Sequence, residues 1–265
     1  MPDSPPSDLA AIRAEIDRLD DQLHDLLMER AHVVAGLAGA RAKTGPAFRP
    51  GRETQVLRRL LARHSGSLPR AALIGIWREI ISASLAQQGS FAVAVLAPAM
   101  DAPTALLARA HFGSLTPMRI HGSAPATFAA LSEASVAVLP LPEDAEPQPW
   151  WPMLEAPRLQ ILARLPVLDQ PGPAALVVGP GPAEPSGDDV SLFRFEPPEG
   201  QSRAGLMSQL AAAGLPPRRL ITAPYAALVE VEGFLDPADP RLAALPFHGL
   251  RPLGAYALPE TGDAS

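Results

Sequence analysis

Arg30 stands where an apolar residue belongs, and the cationic stripe it begins could hold an anion. Leu9, Ile12, Ile16, Leu19, Leu23 and Leu26 recur at alternating spacings of three and four. The series then passes through Arg30 before resuming at Val33 and Leu37. That rhythm belongs to a helix that packs lengthwise against other helices. A guanidinium on such a seam cannot shed its charge and is costly to bury without an anionic partner. Arg41 follows almost three whole turns later, so both cations project from one face about 16 Å apart. Downstream, Ser84 and Gln88 place a hydroxyl and a carboxamide one above the other on a mostly apolar face. The plainer alternative is arginine stems that snorkel to water, beside a Ser and a Gln satisfied by backbone groups. Taken together, these residues describe an anion-binding pocket inside a helical bundle.

The elements that must position these groups are readable from punctuation. Asp8 is a candidate N-cap for a helix from Leu9 to about Ala42, long enough to favour a bundle or coiled coil. Thr44-Gly45-Pro46 ends it. Pro50 suits the first turn of a second helix, whose stripe is Val56, Leu57, Leu60 and Leu61, with Ser65-Gly66 as its stop. Pro69 opens a third helix, predicted to face Leu73, Trp77, Ile80, Ile81 and Leu85 inward. After Ser90 the pattern changes to short apolar runs such as "FAVAVLAP" and "SVAVLPLPED" alternating with helical stretches, one of them over Ser123 to Leu131. That alternation predicts a parallel α/β unit. Gly179 to Gly187 reads as a loop.

Composition narrows the chemistry. The 265 residues can bury a core, being 47% hydrophobic and 19% charged. A net charge of −6 argues against nucleic acid as the main partner. With no cysteine there is neither a disulfide framework nor a thiolate. The six histidines lack ligand spacing, so no metal is expected. No apolar run reaches about 18 residues, and Met1 to Ser7 does not resemble a signal peptide, which together predict a cytoplasmic protein without a membrane span.

From about Asp8 to Gln88 the chain resembles the all-helical chorismate mutase family. The resemblance rests on "AIRAEIDRLD", "LLMERAHVV", "GRETQVL" and "IISASLAQQ", which supply Arg13, Arg30, Arg52-Glu53, Ser84 and Gln88 in order. It implies rearrangement of chorismate to prephenate in aromatic amino-acid biosynthesis, without cofactor or metal. It also implies an intertwined homodimer whose sites each take the N-terminal arginine from the other chain. Geometry agrees, since Arg13 and Arg30 are about 25 Å apart and roughly 100° apart around a straight helix, too far to share one small ligand. By the resemblance, Arg30 and a second copy's Arg13 clamp carboxylates with help from Ser84. Glu53 accepts from the ring hydroxyl beside Arg52, and Gln88 donates to the ether oxygen. Arg41 replaces the family's lysine at that oxygen, a planar fork in place of a point charge. Arg49 stands where the family commonly has aspartate, either touching the ring-hydroxyl end or exposing another cation to water.

The remainder resembles the first lobe of prephenate dehydratase followed by an ACT regulatory domain. The expected organisation is therefore multidomain: residues 1–90 all-α chorismate mutase, 91–170 a degenerate dehydratase-like α/β region, and 171–265 an α+β ACT-like domain. The dehydratase's functional segments are replaced by Met100-Asp101-Ala102-Pro103, Leu141-Pro142-Glu143-Asp144 and Pro173-Ala174-Ala175. By the same resemblance the second lobe is deleted between "LQILARLPVL" and "PAALVVG", so dehydratase activity is not expected. "VEVEGFLDPADPRL" and "PLGAYALP" carry the ACT likeness, while Ile221-Thr222-Ala223-Pro224 stands at its ligand signature. The alternative function is a non-enzymatic dimeric regulator or amino-acid sensor of the same pathway.

Overall fold

The computed structural model describes residues 6–41, 47–144, 146–155 and 157–262, without the side chains of residues 6–8 and 37–41. It divides into two compact units, residues 1–47 with 84–90 and residues 48–83 with 91–265. The division falls inside the third helix rather than at residue 90.

The first unit is dominated by helix α1 (Pro6–Arg41), which starts two residues before the expected Asp8 cap. The Thr44-Gly45-Pro46 stop lies outside the described residues. The predicted seam is present as a stripe and stands open in the single chain. Leu9, Ile12, Ile16, Leu19, Leu23 and Leu26 are 44–62% exposed. A contiguous apolar stripe of this length on an exposed helix surface marks an interaction face.

In the second unit, helix α2 (Pro50–Arg63) begins with proline at its first position and buries Leu57 and Leu61. Gly51 is required there, because a Cβ would lie 2.8 Å from the Glu184 carbonyl oxygen. Helix α3 (Arg70–Gln88) buries Ile74, Arg78, Ile81 and Leu85. This corrects the predicted stripe, since Leu73, Trp77 and Ile80 are only half-buried and the inward face is turned by about one residue.

Strand β1 (Val93–Leu96), helix α4 (Pro103–Phe112), strand β2 (Met118–His121), helix α5 (Ala124–Ala129) and strand β3 (Val136–Pro140) form the expected parallel unit. The register pairs Val93 with both Met118 and Val136. Strand β4 (Leu159–Leu165) returns through the two-residue strand β5 (Leu168–Asp169) to strand β6 (Ala175–Pro180), which inserts antiparallel between β3 and β4. Only residues 166–174 separate β4 from β6, and they hold no second lobe.

Strand β7 (Asp189–Glu196), helix α6 (Arg203–Ala212), strands β8 (Pro217–Ala223) and β9 (Ala226–Glu232), helix α7 (Pro240–Ala243) and strand β10 (His248–Ala257) follow. They form a βαββαβ unit of ferredoxin-like type. The two-residue strand β11 (Glu260–Thr261) pairs with β5. One nine-stranded sheet, ordered β2-β1-β3-β6-β4-β10-β7-β9-β8, thus runs through both regions that the sequence divided at residue 170. The seam is Gly254, paired with Ile161 at a φ of +123°, where a Cβ would sit 2.2 Å from the Ile161 carbonyl oxygen. Backbones approach this closely only at glycine.

Candidate active site

Arg30 and Ser84 come together within the first unit. The Arg30 Nη1 donates to Ser84 Oγ at 2.5 Å. The two residues are 54 positions apart and meet because α1 and the end of α3 present their polar seam positions to each other. Ser84 is buried, Arg30 is half-buried, and burial lowers the guanidinium's pKa from its ordinary value. No carboxylate among the described residues pairs with Arg30. A partly desolvated cation with a hydroxyl beside it and no anion is a receptor for one. One turn on, the Gln88 carboxamide donates to the Ser84 backbone carbonyl at 2.9 Å. That bond fixes the orientation of the side chain expected to serve the ether oxygen.

The other predicted positions are distributed differently. Arg13 is exposed on the N-terminal half of α1, far along the helix from Arg30. Arg41 is the last residue of α1, and its side chain lies outside the described residues. Arg49, Arg52 and Glu53 belong to the other compact unit. Arg49 precedes α2 and is exposed, its Nε donating to Glu184 Oε1 at 2.7 Å. Arg52 is exposed, its nearest partner being Gln55 Oε1 at 3.5 Å. Glu53 is buried and accepts from Arg78 Nη1 at 2.9 Å through Oε2. One oxygen of the carboxylate expected to meet a ring hydroxyl is therefore already engaged from within the chain.

Arg78 was not foreseen, although the signal that exposed Arg30 applies to it. It interrupts the series Ile74, Ile81, Leu85 at spacings of four, three and four, a second cation on a second seam. It is 2% exposed and is pinned by Nε donating to the His111 carbonyl at 2.8 Å, with Nη1 on Glu53. Glu53 is thus held rigid by a buried ion pair, itself fixed to the end of α4. His111 is buried too, and burial followed by the nearby Arg78 charge lowers its pKa well below the ordinary value.

Arg58 ties α2 to the far end of the chain. Its guanidinium donates to Glu260 Oε1 at 2.5 Å, to Ser186 Oγ at 3.0 Å, and at 3.2 Å to the carbonyls of Ser186, Asp188 and Leu258. The helix carrying Arg52 and Glu53 is therefore seated on the sheet-bearing part of the chain. No helix among the described residues is long and apolar enough to cross a membrane.

Among curated proteins, the chain is 35% identical over 96 residues to the bifunctional chorismate mutase/prephenate dehydratase of Aquifex aeolicus, covering 34% of this chain and 26% of that one. The chain therefore spans about a quarter of the length of that relative. Two solved structures resemble it more weakly. The quorum-quenching acylase GqqA aligns at a TM-score of 0.47 and 20% identity, over 64% of this chain and 96% of that one. Prephenate dehydratase from Streptococcus mutans aligns at 0.47 and 15%, over 64% and 100%. Residues 12–89, which include Arg13, Arg30, Arg52, Glu53, Ser84 and Gln88, match the family model of chorismate mutase type II, and that segment carries the sequence of this family.

Proposed function

We propose that this chain is a chorismate mutase that converts chorismate to prephenate in the cytoplasm for aromatic amino-acid biosynthesis. The observation that carries the reading is the half-buried Arg30 guanidinium, hydrogen-bonded to Ser84 and without a carboxylate partner among the described residues. In the reaction a C–O bond breaks while a C–C bond forms within one molecule. The protein has to hold the folded dicarboxylate conformer and stabilise charge growing on the ether oxygen. Arg30 with Ser84 takes one carboxylate. Arg13 of a second copy takes the other, and Arg41 and Gln88 serve the ether oxygen. Glu53, oriented by Arg78, accepts from the ring hydroxyl with its remaining lone pairs, with Arg52 and Arg49 as flanking cations.

The open stripe from Leu9 to Leu26 supports the homodimer, because a second α1 packed against it removes six large apolar side chains from water. We retain residues 1–90 as the functional mutase part, although the compact units divide elsewhere. The part from 91 onward acts as a seat for α2, with no dehydratase activity. Two features support that assignment: the short β4–β6 connection, and the Leu141–Asp144 segment, whose Asp144 side chain is bound to Arg203 and the Thr222 amide. The βαββαβ unit supports an ACT-like architecture for the C-terminal region.

The test is incubation of the purified full chain with chorismate in the presence of a chelator, with products identified by NMR. Prephenate as product is expected, with no phenylpyruvate. Unchanged chorismate would rule out the enzyme and leave the dimeric regulator.

A further inference from the structure

A cavity of about 210 Å³ opens between α3, the second half of α4 and the connection from β4 to β5. An apolar cavity of about 150 Å³ accepts benzene, so this one has room for a ring-sized body with one small substituent. Its exposed lining is small, with Ala71 and Gly75 on α3 and Ala110 on α4, which leaves the mouth open. Its walls are aliphatic, with Leu107, Val167 and Leu168 half-buried and Ile74 buried.

The rest of the buried lining is polar. Arg78 is 2% exposed and His111 is 7% exposed. The charge of Arg78 is already met, because Nη1 donates to Glu53 Oε2 at 2.9 Å and Nε donates to the His111 carbonyl at 2.8 Å. Its third nitrogen, Nη2, is buried and makes no hydrogen bond, and the buried Nε2 of His111 makes none either. Buried nitrogens left in this way are costly, so they distinguish the cavity from a gap between apolar side chains. Burial, reinforced by the nearby Arg78 charge, keeps the imidazole neutral. The cavity therefore offers hydrogen-bonding capacity with little net charge.

That combination selects among ligands. An anion would enter beside Glu53 with no unpaired cation in the lining to balance it. A cation would meet Arg78, and a hydrocarbon would leave both nitrogens unmet. A primary carboxamide avoids all three faults. Its carbonyl accepts from Arg78 Nη2, and its oxygen or its amino group meets His111 Nε2 in either neutral tautomer.

We propose that this cavity binds a small neutral primary carboxamide on a compact apolar body, with the amide on Arg78 Nη2 and His111 Nε2 and the body against Leu107, Val167 and Leu168. The inference does not rest on the mutase reading. It uses Arg78 through a nitrogen that Glu53 does not occupy, and its test reads binding rather than turnover.

The experiment is a ligand-observed NMR titration of the full chain with benzamide. Benzoate, which exchanges the amide for a charge, and toluene, which lacks the polar group, serve as matched controls. Benzamide is expected to bind, with both controls at least about fivefold weaker, the scale of one buried neutral hydrogen bond. Gly75→Leu should block the mouth and remove most of the binding. A Cβ at that position meets nothing within 4 Å, so the helix accommodates the side chain. His111→Phe keeps a ring and removes Nε2, and should weaken benzamide by about fivefold. Circular dichroism checks that both variants are folded. No binding of benzamide, benzoate bound as tightly, or unchanged benzamide affinity in either folded variant would overturn the proposal.

Discussion

Arg78→Met is the perturbation that most sharply tests how Glu53 is held. Methionine keeps much of the arginine stem's volume, so the change removes charge and hydrogen bonds more than packing. The pair it breaks is buried on both sides, with side chains 3% and 11% exposed. Removing one member of a buried pair strands the other charge and costs about 3–5 kcal/mol. The His111 carbonyl loses its donor as well, which adds about 1 kcal/mol. A total near 5 kcal/mol corresponds to a fall in Tm of about 10–20 °C for a unit of this size. Glu53→Gln should cost a comparable amount, because it leaves Arg78 buried without its anion. The double variant should lose less than the sum of the two, by about 2 kcal/mol, since neither charge is then stranded. Urea unfolding followed by circular dichroism, with the slope checked for constancy, measures all three. A loss below about 1 kcal/mol for Arg78→Met, or strict additivity in the double variant, would show that the pair does not anchor Glu53.

Arg58→Ala removes five hydrogen bonds between α2 and the C-terminal region and should cost about 2–3 kcal/mol, whereas exposed Arg59→Ala on the same helix should stay within about 0.5 kcal/mol; equal effects in chemical denaturation would contradict the seating of α2. His111 has a folded pKa below its ordinary 6.5, first through burial and then through Arg78, so the unfolded chain takes up the proton more readily. Its contribution to stability is therefore present above about pH 6.5 and lost as the pH falls from there toward the folded pKa. His111→Leu should flatten that part of a stability–pH curve, and an unchanged slope would refute the assignment. Mixing Arg13→Ala with Arg30→Ala chains should restore activity to roughly a quarter of the sites, because half of randomly paired dimers are mixed and each of those has one intact site. If mixed dimers form and no activity returns, the shared site is wrong.

The sequence was most legible where periodicity and charge conflict. Arg30 on the α1 seam and Ser84 on the α3 seam were both recognisable as polar intruders, and the fold brings these two into contact. Arg78 meets the same criterion, but the stripe of Leu73, Trp77 and Ile80 places the α3 face about one residue off and leaves Arg78 outside it. With Arg78 off the predicted face, its pairing with Glu53 was not readable either. Other features had no local signal. The Arg58 cluster joins residues 128 to 202 positions apart. Strand β2 is only four residues long, and none of them is buried. Insertion of β6 between β3 and β4 likewise depends on which strand edges remain unpaired, and hydrophobic pattern alone does not encode that. The α/β alternation after residue 90 was readable, while the continuity of one sheet through Gly254 was not, since it depends on a single close backbone approach.

The most direct measurement of the central claim is kcat/KM for chorismate with wild-type chain and with Arg30→Ala, at matched helix content. In the proposed site Arg30 meets the substrate as a cation beside Ser84, so its removal would delete a carboxylate clamp and relieve a partly buried charge. The account predicts prephenate formation by wild type, a loss of roughly 10²-fold or more in the variant, and no loss of fold. Wild-type turnover that survives Arg30→Ala within a few-fold, or activity that declines only in step with helix content, would contradict it.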